Sequence, residues 1–200
     1  MMGKKILVLG GIRSGKSEYA ESCLAEEERV VYVAAAQVPD AEMQERIARH
    51  RMRRSETWET REDPFDWAAT VRASVGKTPL LESVGTWISN RLMRYPEYSD
   101  APTREQRNDI ERAMLDEVQR LCDAIREHDG SICVVSEEVG MSMVSLHPLG
   151  RLFEDVLGTA NQMLAQVCEE VVLVVAGCPL VVKSARERME QRKARHEKMG

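Results

Sequence analysis

The sequence predicts an α/β domain with a mostly parallel sheet and helices on both faces. Three observations predict it. Short Val/Ile/Leu runs recur along the chain, longer amphipathic stretches alternate with them, and a glycine-rich loop joins the first run to the first such stretch. Continuous apolar runs fit parallel strands buried on both faces. Strand–helix alternation supplies the crossovers that a parallel sheet requires.

In chain order, Lys5–Leu9 reads as the first strand and Lys16–Glu27 as the first helix. Val30–Ala34 is a second strand, followed by helical patterns at Asp40–Met52 and Pro64–Ser74. Pro79–Leu81 is a short strand, with helices expected at Trp87–Met93 and Arg104–Glu127. Ile132–Ser136 and Val171–Ala176 are the last strands, with a helix at Leu149–Cys168 between them. Tyr95–Thr103, with two prolines and two tyrosines, separates two helices. Glu137–Pro148 leaves the carboxyl end of a strand, where doubly wound sheets collect ligands, so this loop and His147 within it are candidates for a site. Residues 1–183 form the expected domain, and the tail 184–200 is dense in both charges without an apolar face.

Two hundred residues suit one domain, and 43% hydrophobic content supplies an ordinary core. The net charge of −5 argues against a general nucleic-acid or anionic-membrane binder. No apolar run is long enough to span a bilayer, and Ile6–Leu9 is too short for a signal peptide. A cytoplasmic protein is expected. The five cysteines show neither a CxxC pair nor zinc-finger spacing, so Cys122, Cys133 and Cys168 read as buried free thiols. His128 and His196 read as surface residues.

The segment Gly10-Gly11-Ile12-Arg13-Ser14-Gly15-Lys16-Ser17 matches GxxxxGK[ST] between a strand and a helix. Glycines let backbone N–H groups turn inward onto phosphate oxygens, and the helix adds its positive end. Lys16 reaches the β/γ-phosphates and Ser17 ligates Mg²⁺. A metal also needs a carboxylate. Glu82, after Leu80-Leu81, supplies one, against the alternative of a strand-end glutamate facing water.

Arg46-Ile47-Ala48-Arg49-His50-Arg51-Met52-Arg53-Arg54 sets five arginines around one histidine. At helical spacing Arg46, Arg49, His50, Arg53 and Arg54 share a broad face. Guanidinium forks suit a polyphosphate, and like charge disfavours protonation of His50. A neutral imidazole can attack an α-phosphate with pyrophosphate leaving. A solvated face and a nucleic-acid contact remain as alternatives.

Taken with Tyr32–Gln37, Trp58, Thr60, Glu62, Thr86–Asn90, Ser136–Met141, Asn161-Gln162 and Val174–Lys183, these segments resemble one family across roughly residues 4–183. It is the bifunctional adenosylcobinamide kinase / adenosylcobinamide-phosphate guanylyltransferase family of cobalamin biosynthesis. The resemblance implies a P-loop NTPase (RecA-like) fold, a homotrimer, and ATP or GTP with Mg²⁺. It implies phosphorylation of the aminopropanol hydroxyl of adenosylcobinamide. GMP then passes from GTP, through a guanylylated histidine, to adenosylcobinamide phosphate. His50 matches that histidine. Gly10–Ser17, Ala34, Ala35, Ala36, Arg51, Met52, Arg53, Arg54, Glu62 and Glu82 match nucleotide-contacting positions, with Lys16 and Glu82 catalytic and Ser17 and Glu82 on the metal.

This chain departs from the family pattern at several positions. Ala35-Ala36 stands where Thr-Ser is common, and Ser55 replaces a proline. Glu137 replaces an asparagine, Ser142 a glycine, Ser145 a proline and Thr159 an arginine. Losing an arginine and gaining a carboxylate near phosphates both disfavour anion binding. Two other readings follow from these departures and from the basic segment: a P-loop kinase or nucleotidyltransferase with another acceptor, and a non-catalytic GTP-binding regulatory module.

Overall fold

The computed structural model describes residues 3–35, 57–63, 65–96, 98, 102–141 and 143–184. The expected helix at Asp40–Met52, the residues Ala36 and Arg46–Ser55, and also Ser142, His196 and the tail beyond Ser184 lie outside the described residues.

Seven described strands form one sheet: β1 (Lys5–Gly10), β2 (Val30–Ala34), β3 (Glu59–Glu62), β4 (Thr78–Glu82), β5 (Ile132–Glu137), β6 (Glu170–Val175) and β7 (Cys178–Lys183). Their order is β3-β2-β4-β5-β1-β6-β7. Every neighbouring pair is parallel except β6 with β7. β5 therefore lies between β1, which leads into the glycine-rich loop, and β4, which ends in Glu82. This is the predicted α/β fold, with a mostly parallel sheet and the glycine-rich loop at the carboxyl end of β1.

The described helices are α1 (Lys16–Cys23), α2 (Trp67–Ala73), α3 (Val84–Leu92), α4 (Arg104–Glu127) and α5 (Pro148–Val167). α4 runs over the predicted residues because its start is written locally. Thr103 and Gln106 form a reciprocal capping box. α3 begins three residues before its predicted start, where the Ser83 side chain caps the Thr86 N–H. α1 stops at Cys23 rather than Glu27.

Two strands are additions to the predicted set. β3 reads Glu-Thr-Arg-Glu, with no apolar run. It pairs only with β2, at the sheet edge, where polar side chains meet water. β7 returns from β6 through Ala176 and Gly177, both at positive φ (50° and 79°). Two such residues make the tight hairpin turn that antiparallel strands favour.

Alternation along the strands divides the core. Leu7, Val31, Val33, Leu81 and Val134 face α2, α3, α4 and α5, whereas Ile6, Val8, Leu80 and Val135 face Ala20 and Leu24 at α1. Helices thus cover both faces, as predicted. On the larger side Trp67 and Trp87 stack at 5.3 Å between ring centroids, 12° from parallel. Both are buried, and their indole N–H groups donate to the carbonyls of Asp63 and Phe65 at 2.8 Å. Trp87→Ala should lower unfolding stability by about 3–5 kcal/mol, read as a reduced urea midpoint. A midpoint within error of wild type would mean that the stack is not what holds α2 to α3.

Cys122, Cys133 and Cys168 are buried and free, as expected. Burial pushes the Cys168 thiol up to about 12 and that of Cys122 to about 11, so neither is a ready nucleophile. His128 corrects the sequence reading: it is buried, not a surface residue. After α4 the ring lies against the turn leading into β4, with Nε2 3.1 Å from the Lys77 carbonyl. Burial lowers its pKa. No described helix is long and apolar enough to cross a membrane.

Candidate active site

The loop after β1 is built on local necessity. A Cβ on Gly10 would stand 2.3 Å from Ser14 Oγ and 2.8 Å from the Val174 carbonyl, so only glycine fits. Gly15 caps α1 at φ 91°, in the left-handed region. The Gly177 N–H from the β6–β7 turn donates to the Ser14 carbonyl at 2.8 Å and braces the loop from behind. Ser14 Oγ is buried without a hydrogen-bond partner. A buried hydroxyl of this kind is costly unless a ligand supplies the missing bond, and a phosphate oxygen is such a ligand. Ile12, in contrast, is 86% exposed.

Past the loop, Lys16 Nζ lies 3.4 Å from the Gly11 carbonyl and 3.9 Å from Glu137 Oε1. Ser17 Oγ donates to Glu82 Oε1, and the Tyr32 hydroxyl donates to Glu82 Oε2 at 2.9 Å. The carboxylate of Glu82 is thus turned onto the start of α1, which excludes the alternative of a strand-end glutamate pointing away into water. A hydroxyl and a carboxylate side by side are hard oxygen donors, a set that suits Mg²⁺ completed by phosphate oxygens.

Of the remaining predicted positions, Ala34, Ala35 and Glu62 lie at the same carboxyl edge of the sheet. Ala34 is in register with Glu62 on one side and Glu82 on the other. The Ala35 N–H donates to the Glu82 carbonyl at 3.0 Å, and its own carbonyl accepts from Asn90 Nδ2 at 2.6 Å. Ala35 is buried and Glu62 is exposed. His50, Ala36, Arg51, Met52, Arg53 and Arg54 lie outside the described residues.

Residues 6–182 match the family model described as cobinamide kinase / cobinamide phosphate guanyltransferase. The chain belongs to this family. The bifunctional adenosylcobalamin biosynthesis protein CobP of Pseudomonas aeruginosa is 41% identical over 180 residues, spanning 88% of this chain and 96% of the relative. The CobU proteins of Escherichia coli and Salmonella typhimurium are each 37% identical over 180 residues, spanning 89% of this chain and 99% of theirs. A solved Pyrococcus horikoshii structure, 8% identical, superposes with a TM-score of 0.50 over 92% of this chain and 87% of that one. That likeness concerns the fold alone.

Within this cobinamide kinase / guanyltransferase chain, three residues of the site carry geometry that the motifs do not announce. Tyr32 orients Glu82. Asn161 receives the Ser136 hydroxyl at 2.6 Å and donates to the Glu137 carbonyl at 3.0 Å, fixing the end of β5. Glu137, noted in the sequence as the start of a candidate site loop and as a departure from the family pattern, pairs with Lys16. Its position directly after a strand run was the available signal. Beyond it the loop lines a cavity of about 530 Å³ with Val139, Met143, Val144, Arg151, Asn161 and Val182 on its walls. The cavity lies where the sequence placed a candidate site loop. His147 stands exposed at the start of α5 and is not on its walls. Thr159, in place of an arginine, is half-buried on α5.

Proposed function

We propose that this chain catalyses two successive transfers on a corrinoid. In the first, ATP or GTP phosphorylates the aminopropanol hydroxyl of adenosylcobinamide. In the second, GTP guanylylates His50, and the GMP passes to adenosylcobinamide phosphate to give adenosylcobinamide-GDP. The observation that carries this reading is the meeting of Lys16, Ser17 and Glu82 at one loop in a member of this family.

The roles follow from the chemistry of each group. Inward N–H groups of Gly11–Gly15 and the N-terminus of α1 hold the phosphates, and Lys16 adds a point charge at the β/γ oxygens. Ser17 and Glu82 would hold Mg²⁺, which neutralises charge on the transferring phosphoryl group when bound. Ala34, Ala35, Ala36, Glu62 and Arg51–Arg54 border the nucleotide. Ala35 contributes backbone groups there and no side-chain donor. The 530 Å³ cavity offers mostly apolar walls for part of the acceptor.

The catalytic unit spans residues 1–183, with the charged tail 184–200 outside it, in the cytoplasm. It works as a homotrimer. Support for association comes from β7, whose Leu180, Val181 and Val182 are 54–60% exposed on an edge strand. Apolar edges of this kind are normally covered. Sedimentation equilibrium should return three times the mass of the chain, and a monomer would remove that part of the reading.

The functional test uses GTP labelled in its α-phosphate, with Mg²⁺ and adenosylcobinamide. The protein should acquire an acid-labile, base-stable label, as a phosphoramidate does, and adenosylcobinamide should discharge it after being phosphorylated. Tight GTP binding with no covalent label would sink the histidine mechanism. Label that forms but is not discharged would point to a different acceptor.

A further inference from the structure

We propose that Glu137 accepts the proton of the acceptor hydroxyl during phosphoryl transfer, a role that rests on the kinase half of the function above. The residue ends β5, with its Cα in register with Gly10, the first residue of the phosphate loop. Its backbone is pinned by Asn161, whose Nδ2 donates to the Glu137 carbonyl. One carboxylate oxygen is pinned as well: Oε2 accepts the Gly85 N–H at 2.9 Å. Gly85 permits that approach, since a Cβ there would lie 2.4 Å from Oε2.

The second oxygen is turned toward the chemistry. Oε1 stands 3.9 Å from Lys16 Nζ, close enough for charge attraction and too far for a direct hydrogen bond. Lys16 Nζ is the atom that approaches the β/γ-phosphates in a loop of this kind. Oε1 therefore lies about one polar contact from the γ-phosphoryl group, within the reach required of a base acting directly or through one water. The chain leaving Glu137 forms a wall of the 530 Å³ cavity through Glu138, Val139 and Gly140. Glu137 thus stands between Lys16 and the first residues of that wall.

A carboxylate beside a triphosphate weakens anion binding, so a counter-charge to Lys16 alone would be a liability. Proton acceptance gives it a use. The acceptor oxygen bonds to the γ-phosphorus as the bond from that phosphorus to the β,γ-bridging oxygen breaks. The nucleoside diphosphate leaves with the electron pair. The hydroxyl proton moves to Glu137 Oε1 and passes to water as the products leave. Guanylyl transfer breaks a bond at the α-phosphorus and makes no use of Glu137.

Glu137→Gln keeps the acceptor for Gly85 and removes the base. In single-turnover phosphorylation of adenosylcobinamide its rate should fall about 10²–10³-fold, while GTP binds as tightly as to wild type or more tightly. At saturating GTP, covalent labelling by α-labelled GTP should change far less than the phosphorylation rate, and Glu137→Asp should recover part of that rate. A Glu137→Gln rate within about threefold of wild type would leave Glu137 as a counter-charge and overturn the proposal. Labelling that falls in step with phosphorylation would also overturn it, as a structural effect. If wild type does not phosphorylate adenosylcobinamide, the kinase reading fails separately. Hydrolysis of GTP to GDP by water then decides the matter: slowed in Glu137→Gln if the carboxylate accepts the proton, unchanged if it does not.

Discussion

Lys16→Ala should remove both transfers together. In the proposed function the ammonium is the cation that reaches the β/γ-phosphates, and both reactions begin with a triphosphate seated in the same loop. Loss of one preorganised donor at a transferring group costs about 10²–10³ in rate. In this chain the damage should go further. Glu137 Oε1 stands 3.9 Å from Nζ, and the side chains are only 12% (Lys16) and 25% (Glu137) exposed. Truncating Lys16 leaves a half-buried carboxylate unpaired and facing the incoming phosphates, and an uncompensated charge of that kind is costlier than the loss of the pair. The double variant Lys16→Ala/Glu137→Gln should therefore bind GTP more tightly than Lys16→Ala alone, by about 10-fold, a non-additivity expected of side chains in contact. Isothermal titration with GTP and Mg²⁺ reads both effects. Unchanged affinity in Lys16→Ala would remove the lysine from the phosphate site. Strict additivity would mean that the 3.9 Å pair carries no energy.

The coupling also shows which features were legible in the sequence. β1, β2, β5 and β6 were visible because strands buried on both faces must be apolar along their length. β3 was not, because an edge strand meets water and its Glu-Thr-Arg-Glu carries no period. β7 was missed for a different reason. Its turn depends on positive φ at Ala176, an alanine that does not advertise a left-handed backbone as asparagine would. The phosphate loop was legible because its chemistry is contiguous. The placing of Glu82 beside Ser17 follows from its position at the end of a neighbouring strand, although the Tyr32 hydroxyl that turns it required the parallel pairing of β2 with β4. The Lys16–Glu137 pair was illegible as a contact. It depends on β5 lying beside β1, and local pattern does not encode strand order. His128 was misread because a histidine just past a charged helix looks solvated, and only the fold brings the Lys77 backbone over it.

His50→Asn should separate what Lys16→Ala removes together. The case for His50 is carried by its sequence setting, five arginines within nine residues, and by the family to which the chain belongs. An imidazole attacking the α-phosphorus forms an N–P bond as pyrophosphate leaves, and asparagine has no nitrogen of comparable nucleophilicity. The covalent label from α-labelled GTP should vanish, and formation of adenosylcobinamide-GDP should fall by at least about 10³-fold, as expected when a nucleophile is deleted. Phosphorylation should stay within about threefold of wild type if, as proposed, the γ-phosphoryl group is handled by Lys16, Ser17 and the loop amides. A variant that still takes up label would place the nucleophile elsewhere. A variant that loses phosphorylation as well would show that the basic segment holds the triphosphate itself, and His50 would then be one contact among several. As proposed, the two reactions share a nucleotide loop and differ in which phosphorus is attacked. For that reason one residue can be common to both and another private to one.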